Sequence, residues 1–160
     1  MTFTAVGSGQ FGQAGLTTVS VTTHSVGNFI LCEAGDQIGS TALATALSSS
    51  NATWTLLGSS FAGTTNASSC QIFLGQDTAV STATLTATFS GSSTTPFIVG
   101  REFSTTAGFS AVTFDKQGHI DSGGTNTWAS LTPANNGSLY WGFAENAGSA
   151  SEGSTSGYVY

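Results

Sequence analysis

Carboxylates are the residues of this chain best suited to chemistry: Glu33, Asp36, Asp77, Glu102, Asp115, Asp121, Glu145 and Glu152 outnumber its two cations, Arg101 and Lys116. Glycoside hydrolysis needs two carboxyl groups facing each other across a cleft, roughly 5–9 Å apart. Glu33 and Glu102 both fall in apolar stretches that read as central strands, and Asp36 follows Glu33 closely. Adjacent strand residues point to opposite faces, so Arg101 cannot neutralise its neighbour Glu102 directly. A structural role in a cross-strand polar contact is the stronger expectation for Glu102. The run 115–121, DKQGHID, gathers His119 and two carboxylates. It matches neither the Asp-x-Asx-x-Asx-Gly calcium loop nor a Cys/His zinc pattern. It therefore reads as a turn around Gly118 with its charges in water, and no metal site is expected. His24, at a strand end, reads as a surface or satisfied polar residue.

Nucleophilic catalysis finds no better footing. The chain has no Gly-x-Ser-x-Gly elbow, the turn that exposes a catalytic serine. Its glycine-rich stretch 7–12 lacks the lysine and following helix of a phosphate cradle. Cys32 and Cys70 lie in apolar segments, where thiols are buried and inert. The alternative for them is one disulfide, if the chain resides in an oxidising compartment. The expectation is a protein that is not an enzyme and carries no cofactor.

Aromatic residues give a binding signal. Trp54 and Trp141 sit within apolar strand segments and read as core. Trp128, after a Gly/Asn stretch, and Tyr140 are the candidates for a sugar-stacking surface. Asn51, Asn66 and Asn136 match the Asn-x-Ser/Thr acceptor pattern, a frequent coincidence in a chain rich in Ser and Thr.

Only 6% of the residues are charged, against about 25% in typical soluble domains. Ser, Thr, Gly and Asn must supply the solvation, which suits a protein packed against copies of itself. A net charge of −6 argues against nucleic acid, whose phosphates need clustered Lys and Arg, and against an anionic membrane surface. The longest apolar run, 29–32, falls far short of the roughly 20 residues that span a bilayer. The first residues show neither a basic nor a long apolar leader segment. The expectation is a mature segment, or release by a route such as cell lysis.

The elements that must hold these residues are strands. Alternation is plain at 84–89, with Leu85, Ala87 and Phe89 on one face and threonines on the other, and again at 17–22. Further strands are expected at 3–6, 28–33, 53–57, 69–74, 97–103, 111–114 and 138–144, separated by Gly/Ser/Asn turns. Segments 28–33 and 97–99 are continuously apolar, as strands covered on both faces are. Only 41–47, rich in Ala and Leu, reads as a short helical turn. The pattern predicts one all-β domain over residues 1–160, a two-sheet antiparallel β-sandwich of jelly-roll type. A flexible loop at 149–157 would precede a short C-terminal strand.

The succession GNFILC (27–32), ATWTLLG (52–58), CQIFL (70–74), 83–89 and 98–104, then WASLTP (128–133) and GSLYWG (137–142), resembles a known domain. It is similar to a β-sandwich found in bacteriophage tail and other virion proteins and in bacterial surface proteins. There a "G-N/D-L-hydrophobic" strand precedes a "T-W-T-hydrophobic" strand and later an "E-F/Y-S" strand. The likeness covers roughly residues 17–158 and brings no catalytic residues. It implies a structural protein of the virion, decorating a phage capsid or forming part of a tail. Its partners would be other virion proteins and copies of itself in a symmetric homo-oligomer. Two alternatives stand beside it. One is a module binding a host glycan or receptor through Trp128 and Tyr140. The other is an extracellular fibre subunit that exchanges strands, with Phe3, Tyr158, Val159 and Tyr160 as its intersubunit contacts.

Overall fold

The computed structural model describes residues 2–7, 11–64, 67–120, 129–134 and 137–142. Among the described residues nine strands form: β1 (Phe3–Ala5), β2 (Phe11–Ala14), β3 (Thr18–Thr22), β4 (Phe29–Asp36), β5 (Ala44–Ser48), β6 (Ala52–Ala62), β7 (Ser69–Asp77), β8 (Thr82–Phe89) and β9 (Pro96–Thr105). The larger sheet runs β1-β9-β4-β7-β6, with β2 also paired to β9, and the smaller runs β3-β8-β5. All pairings are antiparallel. The neighbours β2-β9-β4-β7 in one layer and β3-β8-β5 in the other give the expected β-sandwich its jelly-roll strand order.

Alternation decides which side chains meet between the layers. Ile30, Cys32 and Ala34 of β4, Phe73 of β7 and Ile98 of β9 pack against Val21 of β3, Ala44 and Leu47 of β5, and Leu85 and Ala87 of β8. The opposite face of the large sheet is covered too. Phe29, Leu74 and Phe103 pack there with Phe3, Leu57, Phe109, Val112, Leu139 and Trp141. Phe29 stacks on Phe103 at 5.6 Å, and Trp141 meets Phe103 edge-on at 5.9 Å. Cover on both faces is why β4 has no polar alternation over its first residues. At the end of the β4–β7 ladder the backbones come close, and a Cβ on Gly35 would collide with the Ser69 carbonyl.

Several expectations need correction. Segment 41–47 holds no helix; β5 forms over its second half, because Ala44 and Leu47 are needed in the core. β2 arises in a glycine-rich stretch that has no alternation, held by its ladder to β9. Residues 111–114 form no strand, and a 3-10 turn at Phe109–Ala111 begins an irregular segment instead. Nor is there a strand over 138–142, while residues 143–144, 149–157 and Tyr158, Val159 and Tyr160 lie outside the described residues. Cys32 and Cys70 are not bonded to each other. Register sets Cys32 opposite Phe73 and Cys70 opposite Gly35, an offset of three residues or about 10 Å along the strand. A disulfide brings two Cα atoms to within about 7 Å.

Candidate functional site

The densest set of buried ionisable groups lies at one end of the sandwich. Glu102 of β9 is 4% exposed and Asp77, the last residue of β7, is 1% exposed. The loop joining β3 to β4 brings donors to Glu102. The His24 backbone N–H reaches Oε1 at 3.1 Å, its ring Nδ1 reaches Oε2 at 2.5 Å, and Asn28 Nδ2 donates to Oε1 at 2.6 Å. Burial alone would raise Glu102, but hydrogen bonds from Asn28, His24 and Asp77 outweigh it and hold its carboxyl below the ordinary range. Asp77 is the reverse case. Burial, then its contact with the Glu102 carboxylate, pushes it up to about 8. Neither Asp77 oxygen receives a hydrogen bond from a conventional donor. The result is an acid–carboxylate pair beneath a half-exposed histidine.

Glu33 and Asp36 stand apart from this pair and from each other. Register puts Ile30 opposite Glu102 and Glu33 opposite Val99, so Glu33 and Glu102 project from opposite faces of the sheet. The three-residue step from Glu33 to Asp36 separates those two in the same way. Glu33, 2% exposed, is raised by burial to about 8, with the Trp141 indole easing the rise. Its Oε2 and the indole Nε1 nonetheless stop short of a hydrogen bond. Asp36 sits at the far end, where the turn between β8 and β9 wraps it. It accepts from Ser93 Oγ, Thr94 N at 2.7 Å, and Thr95 N and Oγ1 at 3.2 and 2.9 Å. Burial opposes ionisation there, and those bonds more than reverse it, leaving the Asp36 carboxyl below its ordinary range.

The other candidates are used structurally. His119 lies on Phe61 with ring centroids 4.0 Å apart, Asp115 accepts from Ala134 N, and Lys116 donates to Thr132 O. Among the described residues no three His, Cys, Asp or Glu side chains converge as metal ligands would. Tyr140 is partly exposed and its hydroxyl donates to Ala129 O at 3.1 Å; Trp128 lies outside the described residues. Phe3 pairs within its own chain, opposite Thr105, and packs on Phe29 at 5.8 Å. Asn51 is fully buried and its amide donates to Val21 O, Thr23 Oγ1 and Ser81 O, which rules it out as a glycan acceptor in the folded chain. Asn66 and Asn136 lie outside the described residues.

One surface was only half visible in the sequence. The outward face of the small sheet carries Thr18, Ser20 and Thr22 of β3 opposite Thr86, Thr84 and Thr82 of β8. Ser48 of β5 extends one rung, and the Thr22 and Thr82 hydroxyls bond at 2.8 Å. Alternation at 84–89 exposed the threonines, but only the pairing of β3 with β8 assembles them into a ladder. No ionisable residue interrupts it. No protein-family model, no curated protein and no solved structure matches the chain.

Proposed function

We propose that this chain is a non-enzymatic structural subunit of a phage particle, decorating the capsid or belonging to the tail. It acts by packing against copies of itself and against other virion proteins. The placement of charge is the observation that carries this reading. Of the five carboxylates among the described residues, Glu33, Asp36, Asp77 and Glu102 are buried and only Asp115 is exposed. Four carboxyl groups are thereby withdrawn from the surface, and the small sheet offers neighbours a neutral ladder of hydroxyls. For a chain of net charge −6, such a face lets identical subunits meet without the self-repulsion that net charge brings.

Jelly rolls serve viral capsid and lectin domains alike, so the fold supports the reading without deciding it. Electron microscopy of the purified protein, beside a Thr84→Arg variant, tests it. Thr84 is exposed at the centre of the ladder, and a charge there should disperse assemblies that the unaltered protein forms. Single, unassociated particles of unaltered protein would overturn the proposal. Glycan binding by such particles would favour the lectin alternative.

A further inference from the structure

Counting lone pairs at Glu102 leaves one place open. A carboxylate offers about four acceptor positions. His24 N and Asn28 Nδ2 occupy Oε1, and His24 Nδ1 takes one position on Oε2. The Asp77 carboxyl lies within hydrogen-bond reach of Glu102, yet no conventional donor serves either of its oxygens. Two buried carboxylates in contact cannot both stay ionised without a counter-charge. None is at hand. Arg101 projects from the opposite face of β9, and Lys116 is engaged with Thr132. β1, β2 and the loop from β7 to β8 contribute no titratable side chain, and β4 contributes only Glu33 on the other face, Cys32 in the core and Asp36 at the far end. Among the described residues, His24 is the one further titratable group facing the pair. A calcium ion would want six or more oxygens, whereas a proton needs one donor and the one acceptor position that remains.

We infer that Asp77 and Glu102 share a single proton and, with His24 and Asn28, form a clasp that fastens the corner between β3 and β4 to β7 and β9. The backbone supports the same closure. Gly27 N donates to Asp77 O at 3.1 Å, and Asp77 N donates to Asn28 O at 3.0 Å. Thr23 Oγ1 reaches Ala79 O at 2.5 Å and Ser81 O at 3.1 Å. The two loops so joined carry Val26 and Val80, which are 63% and 62% exposed, so the clasp sets where two apolar contact residues stand.

The sign follows from where the proton is held. The closed corner keeps Asp77 protonated, while an opened corner lets it ionise in the ordinary range near 3.9. Opening therefore becomes easier as pH rises from about 4 to about 8, by up to tenfold per unit, and then levels off. The clasp is tightest in mild acid.

Amide hydrogen exchange at His24, Gly27 and Asp77, corrected for intrinsic rates between pH 5 and 9, reads this directly in unaltered protein and in Asp77→Asn. The amide copies the protonated acid in shape and cannot ionise. The expected result is protection that falls with pH in the unaltered protein and stays flat in the variant. An infrared difference spectrum between the two at pH 6 should show one protonated carboxyl. A flat profile in the unaltered protein, equal slopes in both, or no acid band would overturn the inference. So would failure of Asp77→Asn to fold, or stabilisation of the corner by added calcium.

Discussion

Glu33 shows how a single side chain can cost stability in proportion to pH. Its carboxyl titrates at about 8 in the folded chain and near 4.3 when unfolded, so the folded state holds a proton that the unfolded state has released. Stability therefore falls as pH rises through that window. Glu33→Gln should leave the chemical-unfolding free energy unchanged near pH 4 and raise it near pH 8; a loss at pH 8 would show that the ionised group is bound usefully. Asp36 behaves oppositely, because its depressed pKa gives stability above about 3.9 that is lost as pH falls through the folded value. Asp36→Ala strands Ser93, Thr94 and Thr95 donors and should cost roughly 2–3 kcal/mol at neutral pH, measured by urea unfolding. Glu102 was legible as a structural residue in a polar contact, but its partners His24 and Asn28 were not. Asp77 was not legible, since nothing near it in the chain shows that β7 ends beside β9. That follows only from a register running through β4, which lies between them.

At the scale of elements, the strands that could be read were those whose environment is uniform along their length. β8 alternates because one face meets the core and the other meets water, and β4 is apolar because both faces are covered. Leu85, fully buried at the centre of the small sheet, should lose about 2–5 kcal/mol on replacement by Ala, seen as a lowered denaturation midpoint. β2 and β5 were hidden for different reasons. β2 is short, shows no alternation and exists through its ladder to β9, and in β5 tertiary packing overrides the helical preference of Ala and Leu. The edge of β6 has a device of the same non-local kind. Gln117 pairs its side-chain amide with both Ser59 N, at 3.0 Å, and Ser59 O, at 2.7 Å, as a neighbouring strand would. Gly58, at φ +59°, lets it lie there without a side chain in the way. Gln117→Ala should raise hydrogen exchange at Ser59 while leaving the β7 ladder protected; unchanged exchange would show the edge is closed by other means.

For the whole molecule, the buried carboxyls pull stability in two directions. Glu33 and Asp77 weaken the fold as pH climbs towards 8, and Asp36 and Glu102 weaken it in strong acid. Their balance places maximum stability near the ordinary carboxylate range, at about pH 4–5, and a series of urea midpoints from acid to alkaline pH should trace that maximum. The same burial leaves the described surface short of charge, and from this the packing role is drawn. The mass of the purified chain by light scattering, over a range of concentrations, tests that role most directly. A closed assembly, with a mass that is a small whole multiple of 16.1 kDa, is the predicted result. A mass that stays at 16.1 kDa at every concentration would contradict it.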